Sequence, residues 1–301
     1  MPAGTIESKF PTSQRYGGNP ALVLGYNILK GTIRYVDSTL TAAGNGLSWD
    51  AAYLTIDAAI NGCSPDDVIL VAPNHAETIS AAAGIDADVA GISIIGLGRG
   101  NRRPRITMGT AASVDIDIDA ASITFENLIF IANFADITAA IDVNADDFTI
   151  RNCEFREGTD LNFLICIQDA TGTDSDRITI EGCRANCPDA ANTHFVNFAG
   201  TGDGHMVRNN ILYGDWGTFA IGGAGIVTNC CVLENIIANV STVNDSCINF
   251  AGTATGFCML NMVGSEAAQA NYVTAGDMVI CENYGAVRTE DLSGILDPIA
   301  T

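Results

Sequence analysis

Asp115, Asp117 and Asp119 place a carboxylate at every second position of a β-type run, Val114-Asp115-Ile116-Asp117-Ile118-Asp119. Alternate residues of a strand share a face, so these acids stand about 6.5–7 Å apart in a row. Such a row can hold a divalent cation or supply an acid and a base. It also arises on the solvated face of an acidic protein, which is the reading preferred here. Asp203 and His205, in Gly202-Asp203-Gly204-His205, form a second set of acid–base types. Asp146-Asp147 and Asp174/Asp176 read as turn acids, because Asp favours turns. His75 and His194 stand alone, outside any acid–base set, and read as structural residues. Cys183/Cys187 and Cys230-Cys231 lack the paired spacing of a zinc site, so no metal is expected. Gly96-x-Gly98-x-Gly100 does not open a helix and no phosphate-cradling loop is present, so no cofactor is expected. Arg99, Arg102, Arg103 and Arg105 are the one concentrated basic feature, either a plain turn or a contact with an acidic neighbour such as a second copy of the chain.

The elements that must position these residues come from a repeat. Gly96, Asn127, Asn152, Gly182, Asn209, Asn235, Asn261 and Asn283 each sit between two short strand-like runs, at steps of 22 to 31 residues. A drifting period in the twenties is the signature of a solenoid whose units bury their apolar face only by stacking. Asn and Gly tolerate the left-handed region, so they turn the corner. A second apolar column, Ile116, Ile141, Cys166, Val196, Ile221, Ile248 and Tyr272, keeps step with the first. The longer steps isolate two bulges, Arg99–Arg105 and the polar loop Asp169–Asp176. The fold class expected is all-β, a parallel β-helix of about eight to nine coils.

Composition narrows the partners. The chain has 301 residues, 35 acids against 14 bases, and a formal charge of −21. A chain so acidic repels nucleic acid and anionic membranes, and it is poorly suited to a polyanionic polysaccharide. No apolar run approaches the ~18 residues of a membrane span. No signal peptide is visible after Met1, so the ten cysteines are expected to be free thiols in a reducing compartment. Cys153 and Cys183 read as core fillers in the column of Leu128, Ile236 and Met262.

Residues 1–32 carry no repeat and read as an extended arm, with Phe10 and Tyr16 as contact residues. Residues 33–285 hold the solenoid. A capping helix is expected near 51–61, with Asp50 as N-cap and Tyr53, Ile56 and Ile60 on one face. Residues 286–301 form a tail. Tyr35-Val36-Asp37, Gly46-Leu47-Ser48-Trp49, Thr55-Ile56-Asp57-Ala58-Ala59-Ile60 and Asp67-Val68-Ile69-Leu70-Val71-Ala72-Pro73 resemble the opening of right-handed parallel β-helix proteins of the pectate-lyase-like class. With the coils, that resemblance covers residues 33–285. It implies right-handed winding and a groove on one face where the enzymes of the class carry their sites. The class hosts lyases, hydrolases, phage tailspikes and inert virion proteins alike. Gly202-Asp203-Gly204-His205 also resembles the Gly-His-Gly element of polygalacturonase-like hydrolases. The partner Asn-Thr-Asp and Arg-Ile-Lys elements are absent, so no role is carried over.

Three functions follow as expectations. The first is a non-enzymatic virion protein, a capsid decoration or spike subunit assembled in the host cytoplasm. By analogy with similar virion β-helices it would be a homotrimer contacting other virion proteins such as a major capsid protein. The second is a polysaccharide lyase or glycoside hydrolase using Asp115, Asp117 and Asp119 or Asp203 and His205. The third is a glycan-binding module, for which Trp216 and Tyr213 are the outward aromatic candidates.

Overall fold

The computed structural model describes residues 31–158, 160–170, 172, 174–243, 246–266, 272–287 and 293–295. Within them the chain winds as a parallel β-solenoid of about eight turns, as the repeat implies, of the right-handed type that the resemblance implies. At the ~4.8 Å spacing of hydrogen-bonded strands this is a rod about 40 Å long. Each turn gives one strand to each of three sheets. Sheet A has ten strands, from Ile33–Val36 through Thr149–Arg151 and Thr179–Glu181 to Val279–Cys281. Sheet B has ten, from Ala76–Ile79 through Glu154–Arg156 to Tyr284–Val287 and Ser293–Ile295. Sheet C has eight, from Ile85–Asp86 through Ile116–Ile118 and Ile141–Val143 to Val273–Ala275. All these pairings are parallel except the last in sheet B, where Ser293–Ile295 returns antiparallel on Tyr284.

Alternation makes the core. Most strands are three to five residues long and read in–out–in or out–in–out. Stacking in register then aligns each inward residue with its equivalent one turn away. Ile94, Phe125, Ile150, Ile180 and Val207 form such a column and are 0–1% exposed. On sheet B, Phe130 stacks on Phe155 at 5.0 Å between ring centroids, and Phe195 of sheet C meets Phe155 edge-on at 5.7 Å.

The corner between sheets A and B differs from the sequence reading by one residue in the later turns. Asn127, Asn152, Gly182 and Asn209 do occupy the left-handed corner (φ 55–63°), as expected. In the next three turns Glu234, Leu260 and Glu282 take that conformation instead. Asn210, Asn235, Asn261 and Asn283 stand one place later, with side chains pointing inward and fully buried. The first three each donate to the next through Nδ2–Oδ1 bonds of 2.9 Å, Asn283 Nδ2 donates to Cys258 O, and the ladder caps backbone groups of neighbouring turns. Cys153 and Cys183 therefore belong with Leu128 and these asparagines. Ile236 and Met262, expected inside beside them, face solvent, since a one-residue shift moves a side chain to the other face. The sheet C column is likewise Ile167 and Val273, in place of Cys166 and Tyr272.

The capping helix is shorter than expected. A 3-10 turn covers Trp49–Ala51 and helix α1 covers Ile56–Ile60. Asp50 caps nothing. Tyr53 pairs its backbone with Tyr35 and Asp37, which holds this segment extended. Thr55 then caps α1 by accepting from Ala58 N at 3.2 Å, and the Glu77 carboxylate accepts from Ile56 N at 3.0 Å. Ile56, Ala59 and Ile60 close the core at this end. Residues 1–30 of the expected arm, including Phe10 and Tyr16, lie outside the described residues, as does most of the tail. All ten cysteines are free thiols.

Candidate functional site

Sheet C carries the acidic site, built differently from the sequence row. Asp86, Asp117 and Asp142 project outward from three successive turns, paired in register. Asp115, at the edge of the same strand as Asp117, completes the group. One carboxylate oxygen from each of Asp115, Asp117 and Asp142 lies within 4.8 Å of the others. Asp119, expected as the third member, is exposed and accepts from Asn144 Nδ2 at 2.9 Å instead. Asp142 lies 25 residues after Asp117, the same step that links Ile116 to Ile141, so the repeat contained the signal.

Burial followed by the field of Asp115, Asp119, Asp142 and Asp86 pushes the Asp117 carboxyl up to about 6. Burial and then Asp115 push Asp142 up to about 6. Burial also raises Asp115, against a 2.5 Å hydrogen bond from Ala83 N that favours its charged form. Hard oxygens this close have the composition of a calcium site. Beyond Asp142 the outward column reads Gln168, Asn197, Gly222, Asn249 and Thr274, with no Arg or Lys to act as a base.

The other sequence candidates do not assemble into catalytic sets. His205 is fully buried, accepts from Ile178 N through Nδ1 at 3.2 Å, and stacks on Phe198. Burial lowers its imidazole to about 4, and its Nε2 has no hydrogen-bond partner. The Asp203 carboxylate turns away, accepting from Thr228 Oγ1 at 2.5 Å and Asn229 Nδ2 at 2.6 Å. His75 is not isolated: its Nε2 lies 3.3 Å from Glu77, and its Nδ1 accepts from Ser38 N. The role is structural all the same, joining the capping segment to the first turn. Burial holds the Cys183 and Cys258 thiols up at about 12, far from nucleophilic range.

The basic loop bulges from the corner between sheets A and B, with a 3-10 turn over Gly100–Arg102. Arg99 and Arg102 are exposed, and Arg99 lines a shallow cleft with Arg184 of sheet B, Asn152 and Glu154. Arg103 is half-buried and already engaged, pairing with Glu154 and donating to Asn152 O at 3.2 Å. Arg105 opens its sheet B strand, half-buried. Trp216 cannot serve a glycan. It is wholly buried against Phe195, whereas Tyr213 is 44% exposed.

One feature was missed in sequence. Ile211, Ile236, Met262 and Tyr284 stack in register on the outer face of sheet B and are 42–55% exposed. Around the corner, sheet A exposes Phe257 and Val279, with Leu260 on the corner itself. The last turns thus present an apolar surface on two adjoining faces, larger than scattered surface residues require.

Comparison with protein-family models and with curated proteins finds no match. Among solved structures the chain is similar to the crystal structure of pectate lyase Pel9A, at a TM-score of 0.47 and 12% identity, over 85% of this chain and 76% of that one.

Proposed function

We propose that the chain is a non-enzymatic structural subunit, a virion protein of the decoration or spike kind, that works by protein–protein contact. The exposed, in-register apolar column Ile211–Ile236–Met262–Tyr284 carries this reading. Contiguous apolar surface of this kind, on rigid strands, favours burial against another protein. The virion setting comes from the fold-level resemblance. Light scattering on the purified chain tests the contact: Ile236→Asp with Met262→Asp should lower the associated mass and leave the melting temperature unchanged. An associated mass indifferent to these changes would remove the column's role.

A second reading is favoured by one observation, the convergence of Asp115, Asp117 and Asp142. In it these carboxylates hold calcium and the chain cleaves an acidic polysaccharide. Calcium titration by calorimetry, with a polyuronate cleavage screen, tests it. Turnover lost in Asp117→Asn would replace the structural reading with this one.

A further inference from the structure

Sheet A's outer face is its own complement when the order of its turns is reversed. One outward column reads Glu126, Arg151, Glu181, Arg208 across four successive turns. Reversed, Arg151 meets Glu181 and Glu126 meets Arg208. The turns beyond repeat the symmetry in apolar form. Leu233 and Met259 follow Arg208 on one side, and Ile95 and Leu70 precede Glu126 on the other. The parallel outward column agrees, with Thr149 and Thr179 at its centre and Val68 and Phe257 equally far from it. The two halves differ only in cover. Leu70 and Ile95 are 0 and 2% exposed, and Trp49 caps that end by packing on Tyr35 at 4.6 Å; Phe257 and Val279 are 48 and 54% exposed.

We infer that sheet A is a self-association face, on which two copies pack antiparallel about a two-fold axis running along the strands between Thr149–Arg151 and Thr179–Glu181. This adds a second contact face to the sheet B column of the contact reading above and rests on that reading, with a second copy as the partner across sheet A and a dimer in place of the trimer expected by analogy. Charge distribution selects a second copy. The two columns hold two acids and two bases, net zero, on a chain of −21. The acidic cluster lies on sheet C, so two copies meeting through sheet A keep those carboxylates apart. Within each chain Arg151 already pairs with Glu126, and Arg208 with Glu181, at 3.1 Å. The dimer would extend those pairs into a neutral ladder rather than make ion pairs from isolated charges. At the far end Val279 of one copy comes opposite Ile33 of the other, beside Tyr35 and Trp49. The isologous arrangement closes at two copies. With Val68, Leu70 and Ile95 already covered, the open strip from Thr124–Glu126 to Val279–Cys281 is seven strands, about 29 Å at ~4.8 Å spacing, and only three residues wide, so a weak dimer is expected at the small end of specific interfaces.

A mixing experiment tests this by analytical ultracentrifugation. Arg151→Glu alone sets Glu against Glu181 of the other copy, and Glu181→Arg alone sets Arg against Arg151. Each single variant should dimerise at least tenfold more weakly than the parent chain while keeping its folded circular dichroism spectrum. Mixed one to one, the variants are complementary at all four positions and should recover a heterodimer of parental strength. A mixture that stays monomeric, single variants that dimerise normally, or a parent that is monomeric or trimeric at every concentration would each overturn the two-fold face. If the sheet A swaps have no effect while Ile236→Asp with Met262→Asp abolishes association, the contact reading stands and this geometry falls. Turnover dependent on Asp117 would instead sink the contact reading itself.

Discussion

Replacing Asn235 by Ala cuts the buried asparagine ladder at its middle. Asn235 is fully buried. Its Oδ1 accepts from Asn210 N at 3.1 Å and from Asn210 Nδ2 at 2.9 Å, and its Nδ2 donates to Val207 O and Asn261 Oδ1, both at 2.9 Å. Each such bond contributes about 1 kcal/mol net, and a donor left buried without a partner costs about 1–3 kcal/mol. The loss should therefore reach about 3–6 kcal/mol. Asn209, one residue earlier, is the control, since it shares the residue type but turns the corner on the outside at φ 56°. Asn209→Ala forfeits only the easier left-handed backbone, about 1–2 kcal/mol. Urea unfolding compares midpoints, and amide hydrogen exchange at Asn210 reads the orphaned N–H directly. A solenoid's turns can open separately, so the exchange data matter as much as the midpoint. Equal midpoints for the two variants, with Asn210 exchange unchanged, would mean that the buried ladder adds no stability.

Three further outcomes are expected. Asp117 and Asp142 titrate near 6 in the folded chain, above the ordinary carboxylate value of about 3.9, so the native state binds more protons and stability falls as pH rises from about 4 to 6. Asp117→Asn with Asp142→Asn should melt higher than the parent at pH 7 and level with it near pH 4; an offset unchanged with pH would contradict this. Thr55→Ala removes the α1 cap and should cost about 1 kcal/mol in thermal unfolding, with Thr55→Ser restoring most of it. Gly256→Ala should destabilise more than a typical surface change of about 0.5 kcal/mol. Gly256 has φ 130°, and a Cβ there would overlap the Cys230 carbonyl, so circular dichroism melts of Gly256→Ala and of Gly252→Ala, where the space is open, separate the two cases.

The solenoid was legible because every turn restates it: two apolar columns in step require stacked strands of short period. The corner register was legible only in part, because Asn does two jobs in neighbouring places. At Asn127, Asn152 and Asn209 it turns the chain on the outside; at Asn235, Asn261 and Asn283 it bonds along the inside. Asn209-Asn210 does both in one turn, and there the sequence marker slipped. That slip placed Ile236 and Met262 in the core and hid the apolar face. The outward column of Arg151, Glu181 and Arg208 continues through Leu233, Met259 and Cys281, while Glu234 and Glu282 turn the corner. The acidic row misassigned Asp119 because a strand shows its own alternation in sequence, whereas the nearest carboxylate came from the next turn. Trp216 lay inside because loop aromatics can fold inward onto a neighbouring turn, here onto Phe195. Nothing in local spacing marks that.

The central claim, that the apolar surface of the last turns is buried against another protein chain, is tested most directly by hydroxyl-radical footprinting of the purified chain, dilute and concentrated. Phe257, Met259, Met262 and Tyr284 should be oxidised several-fold less in the concentrated sample, with exposed Phe134 unchanged as the internal reference. Equal oxidation at both concentrations, or protection confined to the acidic face around Asp117, would contradict the account.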